Sequence, residues 1–402
     1  MNKLFIFFYI IVFSFSNIWA MENPFLKKYN TEFEIPPFSK IDESDFMPAF
    51  TMGIEAHKKE IDSIIKNSEN PSFENVIIAL EKSGSLLDRV GAVFFNLSGS
   101  TSNEEIQNIE KDISPILSQH YDSISLNPKI FKKIKYLWDN IDSLNLSIEE
   151  RKILEEKYKN FIRNGALLEG DDKEKYSSIN QEISKLSVEF SQNLLAETNN
   201  FEIILNENDL DGLTDDIIAL AKEEAYKKYK ETKDSIYKDK YIFTPHRSSL
   251  YPFLTYSKRR DLRERLYKGY IMRGDNNNEF DNKEITAKIS SLRVERANLL
   301  NFETHAHYVL DNTMAKTPEA VYGLLDQLWQ PALSRASKEL EELQSLVNKE
   351  GGNFKIASWD WWYYSEKLRK EKYDLNDEEL KEFFTLDNTI DGIFKTANKL
   401  FG

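Results

Sequence analysis

The stretch Tyr176-Ser177-Ser178-Ile179-Asn180-Gln181-Glu182-Ile183-Ser184-Lys185-Leu186-Ser187-Val188-Glu189-Phe190-Ser191-Gln192-Asn193-Leu194 decides the fold class. Its apolar residues Tyr176, Ile179, Ile183, Leu186, Phe190 and Leu194 recur at intervals of three and four. That spacing gathers them on one face of a helix, whereas on a strand it would scatter them over both faces. The reading is a long amphipathic helix whose stripe needs a partner to cover it.

The same logic extends in both directions. Phe46, Phe50, Ile54, Ile61, Ile64 and Ile65 give a helix over 45–67, stopped by Asn70-Pro71. Ser72 reads as the N-cap of a helix running to about Leu97. Ile106, Ile109, Ile113, Ile116, Leu117 and Tyr121 stripe a helix that Asn127-Pro128 ends. Ser147-Ile148-Glu149-Glu150 has the form of a capping box. Further on, Thr317-Pro318-Glu319 opens a helix in which Pro331 is expected to kink or break the run. Two short β-branched stretches, 200–205 and 241–244, flank a helix over 213–230 and read as a small strand insertion. A domain boundary is placed at that insertion, between Lys230 and Tyr241. No period of 20–50 residues repeats, which excludes a solenoid.

Composition narrows the function classes. The 402 residues are 41% hydrophobic and 13% aromatic, enough for a large core. The net charge of −14 argues against nucleic acid as a bulk partner. Absence of cysteine removes disulfides, thiol catalysis and cysteine–zinc sites. Residues 1–20 join Lys3 to an uncharged apolar run and end at Ala20, the pattern of a secretory signal peptide. The mature protein is therefore expected to be periplasmic or secreted, or cytoplasmic if translation starts at Met21, with no membrane span after signal removal.

Motifs with chemistry are scarce. The sequence contains no H-E-x-x-H, G-x-S-x-G or phosphate-binding glycine loop. Of the five histidines, His305 and His307 stand two apart, the wrong interval for ligands on one helix face, and suit capping or solvent. His246, in Thr244-Pro245-His246-Arg247, is a loop histidine that either lines a substrate groove or makes a structural hydrogen bond. The basic run Lys258, Arg259, Arg260, Arg263, Arg265 alternates with Asp261 and Glu264 and reads as a solvated face with local ion pairs. Trp359-Asp360-Trp361-Trp362-Tyr363-Tyr364 is the densest aromatic run. Its members divide between core and groove wall, with Trp359, Trp362, Tyr363 and Tyr364 the candidates for lining a peptide channel alongside His246.

Several stretches together carry a resemblance. Asn23-Pro24-Phe25 with Pro36-Pro37-Phe38, Asn70-Pro71-Ser72-Phe73-Glu74-Asn75, and Arg293-Val294-Glu295-Arg296-Ala297-Asn298-Leu299-Leu300-Asn301-Phe302 form one ordered set. Met314-Ala315-Lys316-Thr317-Pro318, the aromatic run and Leu400-Phe401-Gly402 complete it. In this order they resemble the zinc oligopeptidases that include thimet oligopeptidase, oligopeptidase A and the peptidyl-dipeptidase Dcp, and the Dcp branch most. The resemblance implies a mostly α-helical, two-lobed zincin-type architecture with a channel that admits short peptides. It makes 21–240 an N-terminal helical lobe and 241–402 the first part of a catalytic lobe. It also implies zinc held by H-E-x-x-H and a later glutamate, a segment expected downstream of Gly402. No catalytic or metal residue transfers to this sequence. Three readings follow: a truncated peptidase inactive alone, a split peptidase completed by a separately encoded C-terminal half, or a non-catalytic helical peptide-binding protein. The split reading expects an exposed apolar surface where the remainder would sit.

Overall fold

The computed structural model describes residues 23–373, 380 and 382–402. The signal segment expected over 1–20 lies outside the described residues. The fold is mostly helical with one two-stranded sheet. Its principal helices are α1 (Phe46–Lys66), α2 (Ser85–Ser100), α3 (Glu104–Ser125), α4 (Pro128–Asp139), α5 (Ile148–Arg163) and α6 (Asp171–Asn200). After strand β1 (Ile203–Leu205) come α7 (Asp215–Thr232), strand β2 (Tyr241–Phe243), α8 (Arg247–Tyr256), α9 (Arg260–Ile271) and α10 (Lys283–Leu299). The chain continues with α11 (His305–Leu310), α12 (Pro318–Lys349), α13 (Trp361–Tyr373) and α14 (Leu386–Phe401).

Local chemistry sets many of these boundaries. Asn127 caps α4 by accepting from the Lys129 amide at 2.9 Å, and Pro128 fills the first helical position. Ser147 and Glu150 form the expected reciprocal capping box of α5, at 3.2 and 2.8 Å. Ser72 and Asn75 do the same at 3.1 and 2.8 Å, but the helix they open is not the single one expected. A π-helical turn (Phe73–Ile78) and one α-turn (Ala79–Lys82) end at Ser83, and α2 starts afresh after Gly84. Gly84 has φ +81°, and a Cβ there would lie 2.9 Å from the His57 ring. A hydrophobic stripe that continues across the interruption cannot reveal it. Pro331, in contrast, does not end α12, which runs unbroken through it. The proline is exposed, and at an exposed helix position water can take the place of the hydrogen bond that proline removes.

The chain forms two compact units: one up to Gln192 plus Asn282–Pro318, the other Asn193–Asp281 plus Glu319–Gly402. In the first, Phe25, Phe46, Phe50 and Phe94 centre a core between α1, α2 and α3, with Phe46–Phe94 ring centroids 5.1 Å apart. A second core joins Ile130, Ile134 and Leu137 of α4 to Leu154 and Phe161 of α5. The stripe of α6 is buried at Tyr176, Ile179, Ile183 and Leu186. Its isoleucines and Leu186 meet Ile289 and Leu292 of α10.

In the second unit β1 and β2 pair antiparallel, with Ile203 opposite Phe243 and Leu205 opposite Tyr241. This pairing groups the residues before Tyr241 with those after it. Leu250, Phe253 and Leu254 of α8 and Leu262 and Leu266 of α9 pack with the two strands. A smaller core holds Leu343 and Val347 of α12 against Tyr364 of α13.

Candidate functional site

His246 ends the loop after β2 and stands at the N-terminus of α8, where its side chain makes no capping bond. It borders a cavity of about 530 Å³ between α7, β2 and the start of α8. The cavity floor is apolar, from Ile217, Ala221, Ile242 and Phe243, and its rim carries Glu223, Lys227 and Ser248. Apolar depth with a mixed-charge rim is the general form of a site for a small amphiphilic molecule. Lys228, also on the rim, is engaged by Glu202, which further accepts a bond from the Tyr237 hydroxyl at 2.9 Å. That carboxylate pushes the Tyr237 pKa up.

None of the four aromatic candidates borders this cavity. Trp362 leans on Tyr251 of α8, ring centroids 5.6 Å apart, and on Tyr267 of α9 at 6.2 Å. Tyr364 is buried, edge-on to Tyr363 at 5.1 Å. Trp359 lies half-buried under two cations, with Lys268 at 5.2 Å and Arg260 at 5.6 Å. The Arg263 guanidinium sits 4.2 Å from the Tyr363 ring centre. The aromatic run is thus an inter-helix packing layer between α13 and the α8–α9 pair.

Asp360 is what the run is built around, and sequence reasoning passed over it. Its side chain is fully buried. It accepts from Arg263 Nη2 at 2.8 Å, from Arg260 Nε at 3.0 Å and Nη2 at 2.8 Å, and from the Ala357 amide at 3.0 Å. Arg263 is only 1% exposed and also donates to the Ser257 carbonyl at 2.7 Å. The reading of the basic run as a solvated face is therefore corrected. Arg259 does pair locally with Asp261, at 2.8 Å. Arg260 and Arg263, three apart and so on one helix face, turn inward to a buried acid. A lone aspartate among tryptophans was the available signal, because such a charge survives only when paired. All its lone pairs are committed, so the group is a structural joint and not a free acid or base.

Other buried polar clusters were equally silent in the sequence. Glu197 is 6% exposed and accepts from the Gly274 amide and from the Asn276 and Asn278 side chains, the last two at 2.9 and 2.6 Å. This gives the Asn276-Asn277-Asn278 loop its purpose. Glu197 also borders a cavity of about 500 Å³ with Arg265, Lys268 and Arg273. Elsewhere, His57 on α1 and His120 on α3 meet ring to ring, His120 Nε2 to His57 Nδ1 at 3.0 Å. Burial depresses both pKa values, that of His120 to about 4. His305 begins α11, whose N-cap is Thr304: the Thr304 hydroxyl accepts from the His307 amide at 3.3 Å and meets His307 Nδ1 at 2.9 Å.

Among the described residues no three His, Cys, Asp or Glu side chains converge as a metal site. The histidine pair does not fit zinc either. Two of its four ring nitrogens are spent on each other, and His57 Nε2 is 3.2 Å from the Ser83 hydroxyl. That leaves one buried nitrogen, far short of the three or four ligands zinc takes. No chemical step through a metal is derived from these residues.

Against known proteins, residues 253–402 match Peptidase family M3. Over 382 residues, 94% of this chain and 55% of the relative, it is 33% identical to the dipeptidyl carboxypeptidase of Escherichia coli (strain K12). It is 30% identical over 387 residues to oligopeptidase A of Haemophilus influenzae, again covering 55% of that protein. Saccharolysin of Saccharomyces cerevisiae is 27% identical over 341 residues, 83% of this chain. The chain spans about half the length of the curated relatives it matches.

Proposed function

We propose that this chain works within a zinc-dependent peptidyl-dipeptidase that removes dipeptides from the C-termini of short peptides. The observation that supports this is the similarity to a dipeptidyl carboxypeptidase over 94% of the chain. In this reading the zinc ligands and the general-base glutamate belong to the part of the family's length that this chain does not match. That part is either continuous with it or a separately encoded half. The residues described here supply helical framework and peptide-contacting surface, and no residue among them is assigned a catalytic or metal-binding role. The 402-residue chain alone is then inactive. The signal pattern of residues 1–20 supports a periplasmic or secreted location. No helix among the described residues is long and apolar enough to cross a membrane.

The test is hydrolysis of an N-blocked tripeptide by protein carrying the full family length. Release of the C-terminal dipeptide, abolished by a chelator and restored by zinc, is the expected result. Cleavage only at internal bonds of longer peptides would assign the oligopeptidase A type of activity instead. The cavity at His246 favours a second reading, a non-catalytic peptide-binding protein. That reading requires micromolar peptide binding by the 402-residue chain, weakened by His246→Ala, with no hydrolysis in any form of the protein.

A further inference from the structure

Helix α9 has two faces with different surroundings. Leu262, Arg263 and Leu266 are buried, the leucines in the core with the two strands and the arginine on Asp360. Arg265, Lys268, Gly269 and Met272 recur at the three-and-four interval of a second face. They line the cavity of about 500 Å³ that Glu197 borders. Glycine is needed at 269. The Phe201 ring lies against the bare helix there, and a Cβ would stand 2.3 Å from it. Phe201, Met272 and Phe280 make the cavity wall apolar. The whole lining belongs to one compact unit, within Asn193–Asp281.

The charges on this lining do not balance. Its single acid, Glu197, is committed to neutral donors: the Gly274 amide and the side-chain amides of Asn276 and Asn278. Three cations stand against it. Lys268 shares Glu264 at 2.6 Å. Arg273 is positioned by neutral groups, Nε donating to the Tyr270 carbonyl at 2.8 Å and Nη1 to the Thr198 hydroxyl at 2.7 Å. Among the described residues no carboxylate pairs with Arg273 or with Arg265. In a chain of net charge −14, two unbalanced guanidinium groups at one apolar cavity mark a place for an anion.

The size falls within the ~300–1,000 Å³ typical of small-ligand sites. The lining also offers amide acceptors. Asn276 gives its Nδ2 to Glu197 and to the Met272 carbonyl, which leaves Oδ1 to accept a bond. A fatty acid has a carboxylate and an apolar tail but nothing to donate to that oxygen. The last residue of a peptide has all three: a carboxylate, a side chain and a backbone N–H.

We propose that this cavity binds the C-terminal residue of a short peptide. Its α-carboxylate meets Arg265 and Arg273, its aromatic or branched side chain lies against Phe201 and Met272, and its N–H reaches Asn276. The site needs no metal and is built within one unit, so it stands or falls apart from the peptidase reading.

The experiment titrates N-acetyl-phenylalanine into the purified 402-residue chain by calorimetry. Saturable one-to-one binding is expected. N-acetyl-phenylalaninamide, of the same shape without the charge, should bind about tenfold more weakly, the scale of a lost hydrogen bond to a charged group. Octanoate, which lacks the amide, should bind about fivefold more weakly for the lost neutral bond. Added salt should weaken both carboxylates and spare the amide. Arg265→Gln replaces an exposed side chain, so the fold should persist, as an unchanged urea midpoint would report. It should cost N-acetyl-phenylalanine about tenfold in affinity and leave the amide unaffected. Arg273→Gln should act in the same way. Lys129→Gln, at an exposed lysine of the other unit, should change nothing. No binding, equal binding of acid and amide, octanoate binding as tightly as the acid, or indifference to Arg265→Gln each overturns the proposal. So does binding that His246→Ala abolishes while Arg265→Gln does not. Binding as described, with no dipeptide release by protein of full family length, would sink the peptidase reading and leave this site standing.

Discussion

Asp360 and Arg263 form a buried ion pair, 2.8 Å from Oδ1 to Nη2, with both side chains at most 2% exposed. It joins the 3-10 turn that leads into α13 (Ser358–Asp360) to α9 and fixes the aromatic layer there. Two segments almost a hundred residues apart, one basic and one aromatic, are thus a single structural feature. Breaking a buried pair by deleting one partner leaves an uncompensated charge, which costs about 3–5 kcal/mol. Asp360→Ala should lower stability by about that amount in urea unfolding, because Arg263 stays buried. Asp261→Ala, at the exposed neighbouring pair, should change it by less than about 1 kcal/mol.

The His57–His120 pair makes the first unit sensitive to acid. Burial depresses both folded-state values, His120 to about 4, with the neighbouring His57 and Lys58 adding to the effect there. Glu60 and Asp88 act on His57 in the opposite sense. A depressed histidine stays neutral in the native state while its unfolded counterpart, near 6.5, takes up a proton. Its contribution is therefore complete above about pH 6.5 and is lost progressively toward pH 4. The urea midpoint of the protein should fall across that window, and His120→Gln should flatten the fall. An unchanged slope in the variant would place the acid sensitivity elsewhere.

Asp122 runs the other way. Burial raises its pKa to about 6, against the favourable bond from Asn180 at 2.9 Å and the charge of Arg296. A carboxyl raised above its unfolded value contributes stability below the unfolded pKa and loses it as pH rises through about 6. Asp122→Asn should therefore raise the urea midpoint more at pH 7.5 than at pH 4. Equal effects at the two pH values would show that the carboxylate carries no such penalty.

Gly269 on α9 lies under the Phe201 ring, where a Cβ would come within 2.3 Å of a ring carbon. Alanine is the better helix former by ~1 kcal/mol, but overpacking costs about 1–3 kcal/mol. Gly269→Ala should be net destabilising, and Phe201→Leu in the same chain should recover much of the loss. Calorimetric melting of the single and double variants checks both.

These residues show what the sequence could and could not carry. Helical class, the Ser147 cap, and the two strands around 203 and 241 were legible, because spacing and capping chemistry are local. The α1–α3 histidine contact, the Glu197–asparagine knot and the Asp360–arginine joint were not, since each depends on residues far apart in sequence meeting in space. The break at Gly84 was hidden by an apolar stripe that runs across it. At His246 the sequence offered a groove residue or a structural hydrogen bond; the side chain makes no capping bond and borders a cavity. The aromatic candidates could not be sorted between core and groove from one dimension.

The most direct measurement is zinc content together with dipeptide release from a blocked tripeptide, made on the purified 402-residue chain and on the same chain completed with the rest of an M3 catalytic region. The account predicts no stoichiometric zinc and no turnover for the first, and one zinc with chelator-sensitive turnover for the second. Stoichiometric zinc and turnover by the 402-residue chain alone would contradict it.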